Sequence, residues 1–331
     1  MPVIKSDEVV FIGSGAIATS LGNILAKNNV QVILLSIEDE VVQSINEAHI
    51  NPKYFNSFRL NPALKASADE SVLKTASIIF LAIPSNAVVE YVKTNKDFIN
   101  PKAVIVNLAK GFGSNSALIP DCLSKIIENP IVSMKGPSFA REILYDQPTA
   151  FTIASDDQTT FKLFEKLFKS STIHLDFTTD IRGVEYASIL KNIYAIIIGI
   201  VDASFDSPNL RSLVLSKAIN EMRNLMINFG GQSQTIFNYC GFGDFSLTAL
   251  NDLSRNRTLG LLIGKGFFSQ EISQKVVLEG RIAVNIFYEQ LQSKGVSDDE
   301  YPLLTEIYKV FNSNYDIVKF VNRILNSQKS N

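Results

Sequence analysis

Lys191 stands within one of the most apolar stretches of the chain, and lysine is a residue that can carry a proton to or from a substrate. On helical spacing its face is shared by residues that are small or apolar: Ala187, Tyr194, Ala195 and Ile198. An ammonium buried among them must be paired or must lose its proton, and a lysine that readily loses its proton can act as a general base. We therefore predict a catalytic role for Lys191, with a lysine that extends along its apolar stem to the surface as the alternative.

A second lysine, Lys110, follows the β-rich run at residues 103–106. Two other segments follow β-rich runs in the same way: Pro84-Ser85 after residues 77–83, and Gly136-Pro137-Ser138-Phe139-Ala140 after residues 130–134. In open α/β sheets, ligands bind at the carboxyl ends of the strands. We expect these segments to lie at that edge, although a surface lysine at a strand end is equally common.

The run at residues 9–12 leads directly into Gly13-Ser14-Gly15-Ala16-Ile17-Ala18, which has the form G-x-G-x-x-A. Gly13 permits a tight turn, Gly15 lets the backbone approach a pyrophosphate, and Ala18 allows close packing of helix on strand. The N–H groups at the start of the following helix then face the phosphates. The pattern is frequent by chance, but its place between a strand and a helix favours a dinucleotide site over a plain turn.

The end of the second β-rich run, residues 30–35, bears on the choice between NAD and NADP. An acidic residue there binds a ribose hydroxyl, whereas an arginine accepts the 2′-phosphate of NADP. Glu38 and Asp39 come slightly late and are equally suited to the first turn of a helix. Because no cation is apparent within reach of this segment, we expect NAD, with NADP left open.

A third polar cluster comprises Gly243-Asp244, Leu247-Thr248 and Ser254-Arg255-Asn256-Arg257. Arginine presents a planar fork suited to phosphate oxygens, and a helix start adds N–H donors. A capped helix with solvated charges is the competing interpretation of the Ser254 segment. Asp244 is suited either to orienting Lys191 or to capping a helix.

Helices and strands must position these segments. The secondary structure that the sequence pattern predicts changes near residue 179. Before it, β-rich runs alternate with helical segments such as 16–27 and 38–47, which predicts a parallel sheet covered on both faces. After it, residues 184–203 and 211–229 predict long helices. We expect an α/β protein, with a Rossmann-like doubly wound domain at 1–179, an all-helical domain at 180–331, and a site in the cleft between them.

Composition narrows the classes of partner. The chain has 331 residues and a formal net charge of −2, which gives neither the basic footprint of a nucleic-acid-binding protein nor a field for anionic membranes. Cys122 and Cys240 are far apart and show no metal-ligand spacing, and so few cysteines favour a reducing compartment. The apolar stretch 189–201 is too short to span a bilayer. With no apolar signal core at the start, we expect a cytoplasmic protein without metal or membrane insertion.

Taken together, the motifs resemble those of the NAD(P)-dependent glycerol-3-phosphate dehydrogenase family, over essentially the whole chain and in the same order. The shared elements are the glycine turn, Ile83-Pro84-Ser85, Ala109-Lys110-Gly111, Gly136-Pro137-Ser138-Phe139-Ala140, Leu190-Lys191-Asn192-Ile193, Gly243-Asp244, Leu247-Thr248 and Ser254-Arg255-Asn256-Arg257. Three of these segments, in this order, are far more specific than the glycine turn: Gly136-Pro137-Ser138-Phe139-Ala140, Leu190-Lys191-Asn192 and Ser254-Arg255-Asn256-Arg257.

The resemblance implies that glycerone phosphate and glycerol 3-phosphate are interconverted, with Lys191, Lys110 and Asp244 as the catalytic set. The substrate-binding residues that it implies are Lys110, Gly136, Ser138, Lys191, Asp244, Thr248, Ser254, Arg255 and Asn256. The implied cofactor-binding residues are Gly13, Gly15, Ala16, Ile17, Pro84, Lys110, Ala140, Arg255, Val277 and Glu279. It further implies a homodimer that is formed through the helical domain. Its product, glycerol 3-phosphate, would serve phospholipid synthesis.

The chain departs from the family at two places that bear on the cofactor. Ile17-Ala18-Thr19 stands where the family has an aromatic residue followed by Gly-Thr, and Ile37 stands where the family often has an arginine. The second difference disfavours NADP. Two alternatives stay open at this level, namely a related NAD(P)-dependent hydroxy-acid dehydrogenase of the same two-domain plan, and a non-catalytic nucleotide-sensing protein.

Overall fold

The computed structural model describes residues 8–205, 207–267, 278–313 and 315–326, with the backbone alone at 278 and 279. The chain divides into two compact units, Met1–Ile181 (the first unit) and Arg182–Asn331 (the second unit). The assignment of the dinucleotide to residues 1–179 and of the substrate to residues 180–331 stays a prediction.

The described part of the first unit forms an eight-stranded sheet of order β3-β2-β1-β4-β5-β6-β7-β8. The strands are β1 (Glu8–Ile12), β2 (Gln31–Leu35), β3 (Leu64–Ser67), β4 (Ile78–Leu81), β5 (Val104–Asn107), β6 (Ile131–Lys135), β7 (Thr149–Ala154) and β8 (Ile173–Thr178). All pairings are parallel except that of β6 with β7. The predicted doubly wound α/β class is confirmed.

Helices cover the sheet on both faces. They are α1 (Ala16–Lys27), α2 (Asp39–Glu47), α3 (Ser85–Asn95), α4 (Ile119–Leu123), α5 (Ala140–Leu144) and α6 (Thr159–Leu167), with 3₁₀ turns at Glu70–Lys74, Lys96–Phe98 and Ser114–Ser116. Strand β1 shows why the sheet needs a layer of helices on each face. Val9 and Phe11 belong to one hydrophobic core and Val10 and Ile12 to another, so the strand is buried on both sides.

Strands β3 and β8 were not predicted from the sequence. β3 is four residues long, with the exposed Lys65 between buried neighbours, and β8 carries His174 and Asp176 on alternate positions. Both lie at the edges of the sheet. Edge strands are covered on fewer sides than central ones, so their sequences lack the continuous apolar run that identified the others.

The second unit is helical throughout its described part. Its helices are α7 (Ile181–Ser204, which begins at the last residue of the first unit), α8 (Pro208–Asn228), α9 (Asp244–Leu250), α10 (Arg255–Gly264), α11 (Leu278–Ser293), α12 (Pro302–Asn312) and α13 (Ile317–Asn326). A 3₁₀ turn at Ser233–Phe237 and a π turn at Tyr239–Gly243 precede α9. By length and composition α7 could cross a membrane, and its apolar stretch is completely buried in the molecule.

A buried carboxylate joins three of these helices. Glu221 on α8 accepts hydrogen bonds from the backbone N–H groups of Leu303 (3.0 Å) and Leu304 (2.8 Å) at the start of α12, and from the Tyr194 hydroxyl of α7 at 2.9 Å. Burial, and then the charge of Glu221, raise the pKa of Tyr194 well above its ordinary value. The carboxylate satisfies N–H groups that the start of a helix leaves without a partner.

Helices α7 and α10 touch through their backbones. A Cβ atom on Gly260 would lie 2.1 Å from the carbonyl oxygen of Ile196, and one on Gly199 would lie 2.3 Å from that of Arg257. Only glycine permits such an approach without displacing one helix. The contact also brings the start of α10 beside α7, where the Asn256 amide donates to Asn192 Oδ1 at 2.9 Å.

We therefore expect Gly260→Ala to lower the free energy of unfolding by about 1–3 kcal/mol, because the added methyl group must push two backbones apart. Thermal and urea unfolding measure this change. Gly280→Ala is the matched control, since its Cβ would meet only side-chain atoms, the flexible end of Ile196 at 2.9 Å and Asn256 Oδ1 at 3.9 Å, and alanine favours a helix. Equal stability of the two variants would contradict the proposed backbone contact.

Candidate active site

The glycine turn of the first unit is shaped by one left-handed residue. Gly13 has φ +105°, and a Cβ there would lie 2.8 Å from the Ala82 carbonyl oxygen and 2.9 Å from Ile83 Cγ2. Its N–H donates to the Leu35 carbonyl at 2.8 Å, so the turn is fixed between β2 and the end of β4. Both geometry and space require glycine here.

Gly15 has a different role, because it is the N-cap residue of α1 and has no heavy atom within 4 Å of a Cβ position. The backbone is therefore open to the approach of another group. The first N–H groups of α1 have no partner within the helix and favour an anion. This arrangement fits the pyrophosphate of a dinucleotide.

A cavity of about 350 Å³ adjoins this turn. It lies where β1 and β4 are neighbours and the strand order reverses, which is the place where doubly wound sheets bind nucleotides. The described residues that line it are Ile12, Gly13, Ser14, Gly15, Leu35, Ser36, Ile37, Glu38, Tyr54, Ala68, Glu70, Ala82, Ile83, Pro84, Ala87 and Tyr91. Of the sequence-predicted cofactor residues in the first unit, Gly13, Gly15 and Pro84 line it, whereas Ala16, Ile17, Lys110 and Ala140 do not.

Tyr91 of α3 was not predicted from the sequence, and it tests whether the cavity suits a nucleoside. Its hydroxyl oxygen is buried and has no hydrogen-bond partner among the residues that the structure describes. Burial, together with the charge of Glu70, raises the pKa of Tyr91 to about 12. A neutral phenol facing a largely apolar cavity offers one hydrogen bond to a bound nucleoside, so the residues present fit the cofactor.

The expectation that no cation lies within reach of the β2 end is wrong. Lys53 comes from the loop between α2 and β3, and its Nζ lies 2.7 Å from Glu38 Oε1 at the cavity wall. The sequence hid this pair because the two residues lie 15 positions apart and meet only through the folded loop. The preference for NAD over NADP was based on the absence of a cation near the end of β2, and Lys53 removes that basis.

Asn51, also not predicted from the sequence, holds that loop against the glycine turn. Its amide donates to the Ser14 carbonyl and to Thr19 Oγ1, each at 2.9 Å, and the residue is completely buried. On the other side of the turn, Ser14 Oγ donates to Ser36 Oγ at 2.8 Å. The glycine turn, the end of β2 and the Asn51 loop thus form one hydrogen-bonded assembly.

At the ends of β5 and β6 the structure gathers a second predicted group. Lys110 Nζ donates to the Gly136 carbonyl at 3.3 Å, and Ser138 Oγ donates to the same oxygen at 2.9 Å. Below them the fully buried Lys135, which the sequence did not single out, donates to the carbonyls of Asn107 (3.0 Å) and Ala109 (2.5 Å). Lys135 therefore ties the segment that carries Lys110 to the strand that carries Gly136.

In the second unit, Lys191 is paired rather than extended to the surface. Its Nζ lies 2.5 Å from Asp244 Oδ1 and donates to Thr248 Oγ1 at 3.0 Å, and Lys191 and Asp244 are 5% and 1% exposed. Thr248 in turn donates to the Asp244 carbonyl at 2.7 Å. Of the two alternatives for Asp244, the pairing with Lys191 is present, whereas the N-cap of α9 is Gly243 and Asp244 is the first residue of the helix, where a carboxylate is favoured.

The two arginines of the Ser254 segment have different surroundings. Arg257 is buried and pairs with Asp202 at 2.9 Å and with Asp252, whereas Arg255 is exposed at the first position of α10. Ser254 is the N-cap and accepts from the Arg257 N–H at 3.3 Å. Helix capping, the competing interpretation, is therefore present, and it leaves Arg255 and Asn256 at the helix start where an anion is favoured.

For three predicted cofactor residues the structure shows no contact with the cavity: Val277, Glu279 and Ala140 are not among the described residues that line it. Val277 lies outside the described residues, and Glu279 is described only as helical backbone of α11. Ala140 opens α5, and its carbonyl accepts from Ser20 Oγ at 2.6 Å, which ties α5 to α1. Among the side chains that are described, no group of three or more His, Cys, Asp or Glu is placed to hold a metal ion.

Comparison with known proteins matches both units. Residues 8–161 match the family described as NAD-dependent glycerol-3-phosphate dehydrogenase N-terminus, and residues 180–322 match the corresponding C-terminus. The chain belongs to the NAD-dependent glycerol-3-phosphate dehydrogenase family. The resemblance inferred from the sequence motifs is confirmed.

Relatives match most of the length of this dehydrogenase family member. Glycerol-3-phosphate dehydrogenase (NAD(P)+) of Clostridium acetobutylicum is 32% identical over 98% of this chain and 98% of that protein, and the enzyme of the same name from Leptospira biflexa is 35% identical over 82% and 84%. The crystal structure of glycerol-3-phosphate dehydrogenase from Coxiella burnetii has a TM-score of 0.87 at 27% identity, covering 97% of this chain and 99% of that one.

For the cavity of this dehydrogenase, we expect Tyr91→Phe to raise the Kd for NADH about 3- to 10-fold through loss of one neutral hydrogen bond. Fluorescence titration measures the Kd. Tyr145→Phe is the control, because Tyr145 is 48% exposed in the same unit and is not among the residues that line the cavity. In a spectrophotometric titration, the difference between the wild type and Tyr91→Phe should show ionisation near pH 12 rather than pH 10, since the Tyr91 pKa is raised to about 12. An unchanged Kd would exclude this hydroxyl as a nucleoside contact.

For the buried ion pair we expect non-additivity. Asp244→Asn leaves the Lys191 ammonium without its counter-charge and should lower the free energy of unfolding by about 3 kcal/mol. Adding Lys191→Met removes that charge, so the double variant should be more stable than Asp244→Asn alone. Urea unfolding of the four proteins of this cycle measures the coupling, and strict additivity would show that the pair carries no interaction energy.

Proposed function

We propose that the protein catalyses the reversible reduction of glycerone phosphate to sn-glycerol 3-phosphate, with NADH or NADPH as the reductant and Lys191 as the proton donor. The observation that carries the proposal is the pair of buried side chains, in which Asp244 Oδ1 lies 2.5 Å from Lys191 Nζ. The family to which the chain belongs supports the reaction.

The bound cofactor supplies a hydride to C2 of the ketone. The chain supplies the proton, and Lys191 is suited to this because the Asp244 carboxylate stabilises its charged form in a buried place. In reduction, the Lys191 ammonium gives its proton to the oxygen on C2, and in oxidation the neutral amine takes it back. Thr248 holds the Lys191 amine in position through Oγ1 at 3.0 Å.

For the phosphate group we propose the start of α10. The exposed Arg255 presents a fork for phosphate oxygens, and the first N–H groups of the helix add donors. Asn256 is oriented by its 2.9 Å hydrogen bond with Asn192, the neighbour of Lys191 in sequence. Ser254 completes this set. This link supports the proposal, because it ties the start of α10 to the helix that carries Lys191 within the second unit.

For the first unit we propose that Lys110, Gly136 and Ser138 also bind substrate oxygens. The ammonium of Lys110 stabilises the negative charge that develops on the carbonyl oxygen as hydride arrives. In that unit we propose that the cofactor is held by Gly13, Gly15, Ala16, Ile17, Pro84 and Ala140. In the second unit we propose that it is held by Arg255, Val277 and Glu279.

We further propose a cytoplasmic homodimer that supplies glycerol 3-phosphate for phospholipid synthesis. Cys122 and Cys240 are both buried and neither forms a disulfide, which suits a reducing compartment. The second unit exposes large apolar side chains, among them Phe237 (72%), Leu253 (72%) and Phe267 (63%), which an interface between two copies of the chain would bury.

The purified protein should oxidise NADH or NADPH when glycerone phosphate is added. Lys191→Met should lower kcat about 10²- to 10⁴-fold, because the proton then has to come from solvent, while the Kd for NADH stays within about twofold. Lys309→Met is the matched control, since Lys309 is also an ion-paired lysine of the second unit, 2.9 Å from Glu306. Absorbance at 340 nm follows the reaction.

Two results would contradict the proposal. Normal turnover by Lys191→Met would remove the assigned proton donor. Turnover of phosphate-free hydroxy acids that is as fast as that of glycerol 3-phosphate, and insensitive to Arg255→Ala, would favour a hydroxy-acid dehydrogenase instead.

A further inference from the structure

Beside the nucleotide cavity lies an ion pair that has no part in the reaction proposed above. Glu38 follows the end of β2 and lines the cavity, and Lys53 Nζ lies 2.7 Å from its Oε1. The Lys53 and Glu38 side chains are 51% and 43% exposed, so neither charge is confined to its partner by burial. Such a pair contributes little to stability and can exchange partners at low cost.

Both charges are held at this place by the glycine turn. The Lys53 N–H donates to Asn51 Oδ1 at 3.2 Å, and the Asn51 amide donates to the Ser14 carbonyl at 2.9 Å. On the other side, the Glu38 N–H donates to Ser36 Oγ at 3.2 Å, and Ser36 Oγ accepts from Ser14 Oγ at 2.8 Å. The backbones of Glu38 and Lys53 are thus tied to the turn by hydrogen bonds, while their side chains are about half exposed.

NADH and NADPH differ only at the 2′ position of the adenosine ribose, which carries a hydroxyl in NADH and a phosphate in NADPH. A carboxylate accepts a hydrogen bond from the hydroxyl and repels the phosphate, whereas an ammonium attracts the phosphate. In doubly wound folds this ribose lies beside the end of the second strand. Glu38 therefore offers a contact for NADH, and Lys53 offers one for NADPH.

We propose that the Glu38–Lys53 pair sets the preference between the two cofactors: Glu38 accepts the 2′-hydroxyl of NADH, and Lys53 leaves Glu38 to bind the 2′-phosphate of NADPH. The proposal deepens the function proposed above, since it rests on nicotinamide binding in this cavity. It explains how a chain with Ile37 after β2, in place of an arginine, still holds a cation for the phosphate. Lys53 is a cofactor-specificity residue that takes no part in proton transfer.

The experiment measures the Kd of NADH and of NADPH separately for the full chain, by fluorescence titration without substrate. Lys53→Met should weaken NADPH about 10-fold through loss of a charged contact and leave NADH within about twofold. Glu38→Gln should tighten NADPH about 5-fold, because repulsion is removed and Lys53 is released, and should weaken NADH by a similar factor. The effect of Lys53 on NADPH should fall as salt rises from about 0.05 to 0.5 M, since the pair is exposed.

Lys27→Met is the matched control, because Lys27 forms an exposed ion pair with Asp146 at 2.6 Å in the same unit, and neither residue lines the cavity. It should leave both Kd values unchanged. The proposal is overturned if Lys53→Met shifts the NADPH to NADH ratio by less than twofold, or if Lys27→Met shifts it equally. Because binding is measured without turnover, shifted ratios in a protein that does not reduce glycerone phosphate would refute the proposed reaction while leaving this inference standing.

Discussion

A charged amine that is buried in a helical core must have a counter-charge, and the second unit is built around that constraint. Lys191 lies on an apolar helix, so its ammonium loses hydration that only a close carboxylate can replace. Asp244 provides it from the first position of α9. The turn before α9 is tight, because a Cβ on Gly241 would lie 2.3 Å from the Ile236 carbonyl oxygen. The backbone that leads to the carboxylate therefore follows a path that only glycine permits at this position.

Other buried charges of the chain are also satisfied, either by counter-charges or by backbone groups. Asp202 on α7 accepts from Arg211 at 2.7 Å and from Arg257 at 2.9 Å, which ties α8 and α10 to the helix that carries Lys191. Glu221 satisfies the start of α12, and Lys135 satisfies carbonyls beneath Lys110. Each contact is directional, whereas apolar packing is not, so these groups fix the positions of elements that packing alone would leave adjustable. Rigid placement of Lys191 and Lys110 follows from this network.

Much of the fold could be predicted because its signals are local. The buried central strands, the glycine turn and the long helices each depend on a pattern within one segment, and Lys191 stands out in the sequence as a charge in an apolar run. What could not be predicted depends on residues that meet only after folding. The edge strands β3 and β8 lack an apolar run, Asn51 and Lys53 lie on an irregular loop, and Lys135 in the sequence is one lysine at a strand end among several. The expectation of NAD over NADP was reached without Lys53 for this reason.

The two lysine–carboxylate pairs differ in burial, and that difference suits them to different tasks. Lys191–Asp244 is buried, so separating it exposes an unpaired charge to a poorly polarisable interior, and the pair stays at one geometry. A residue that must meet a particular oxygen atom needs such fixed geometry. Lys53–Glu38 is exposed, so water stabilises either charge when it is alone and the pair can open for a ligand. Substitution at the exposed pair on a loop can therefore change the proposed cofactor choice without disturbing the buried pair to which we assign proton transfer.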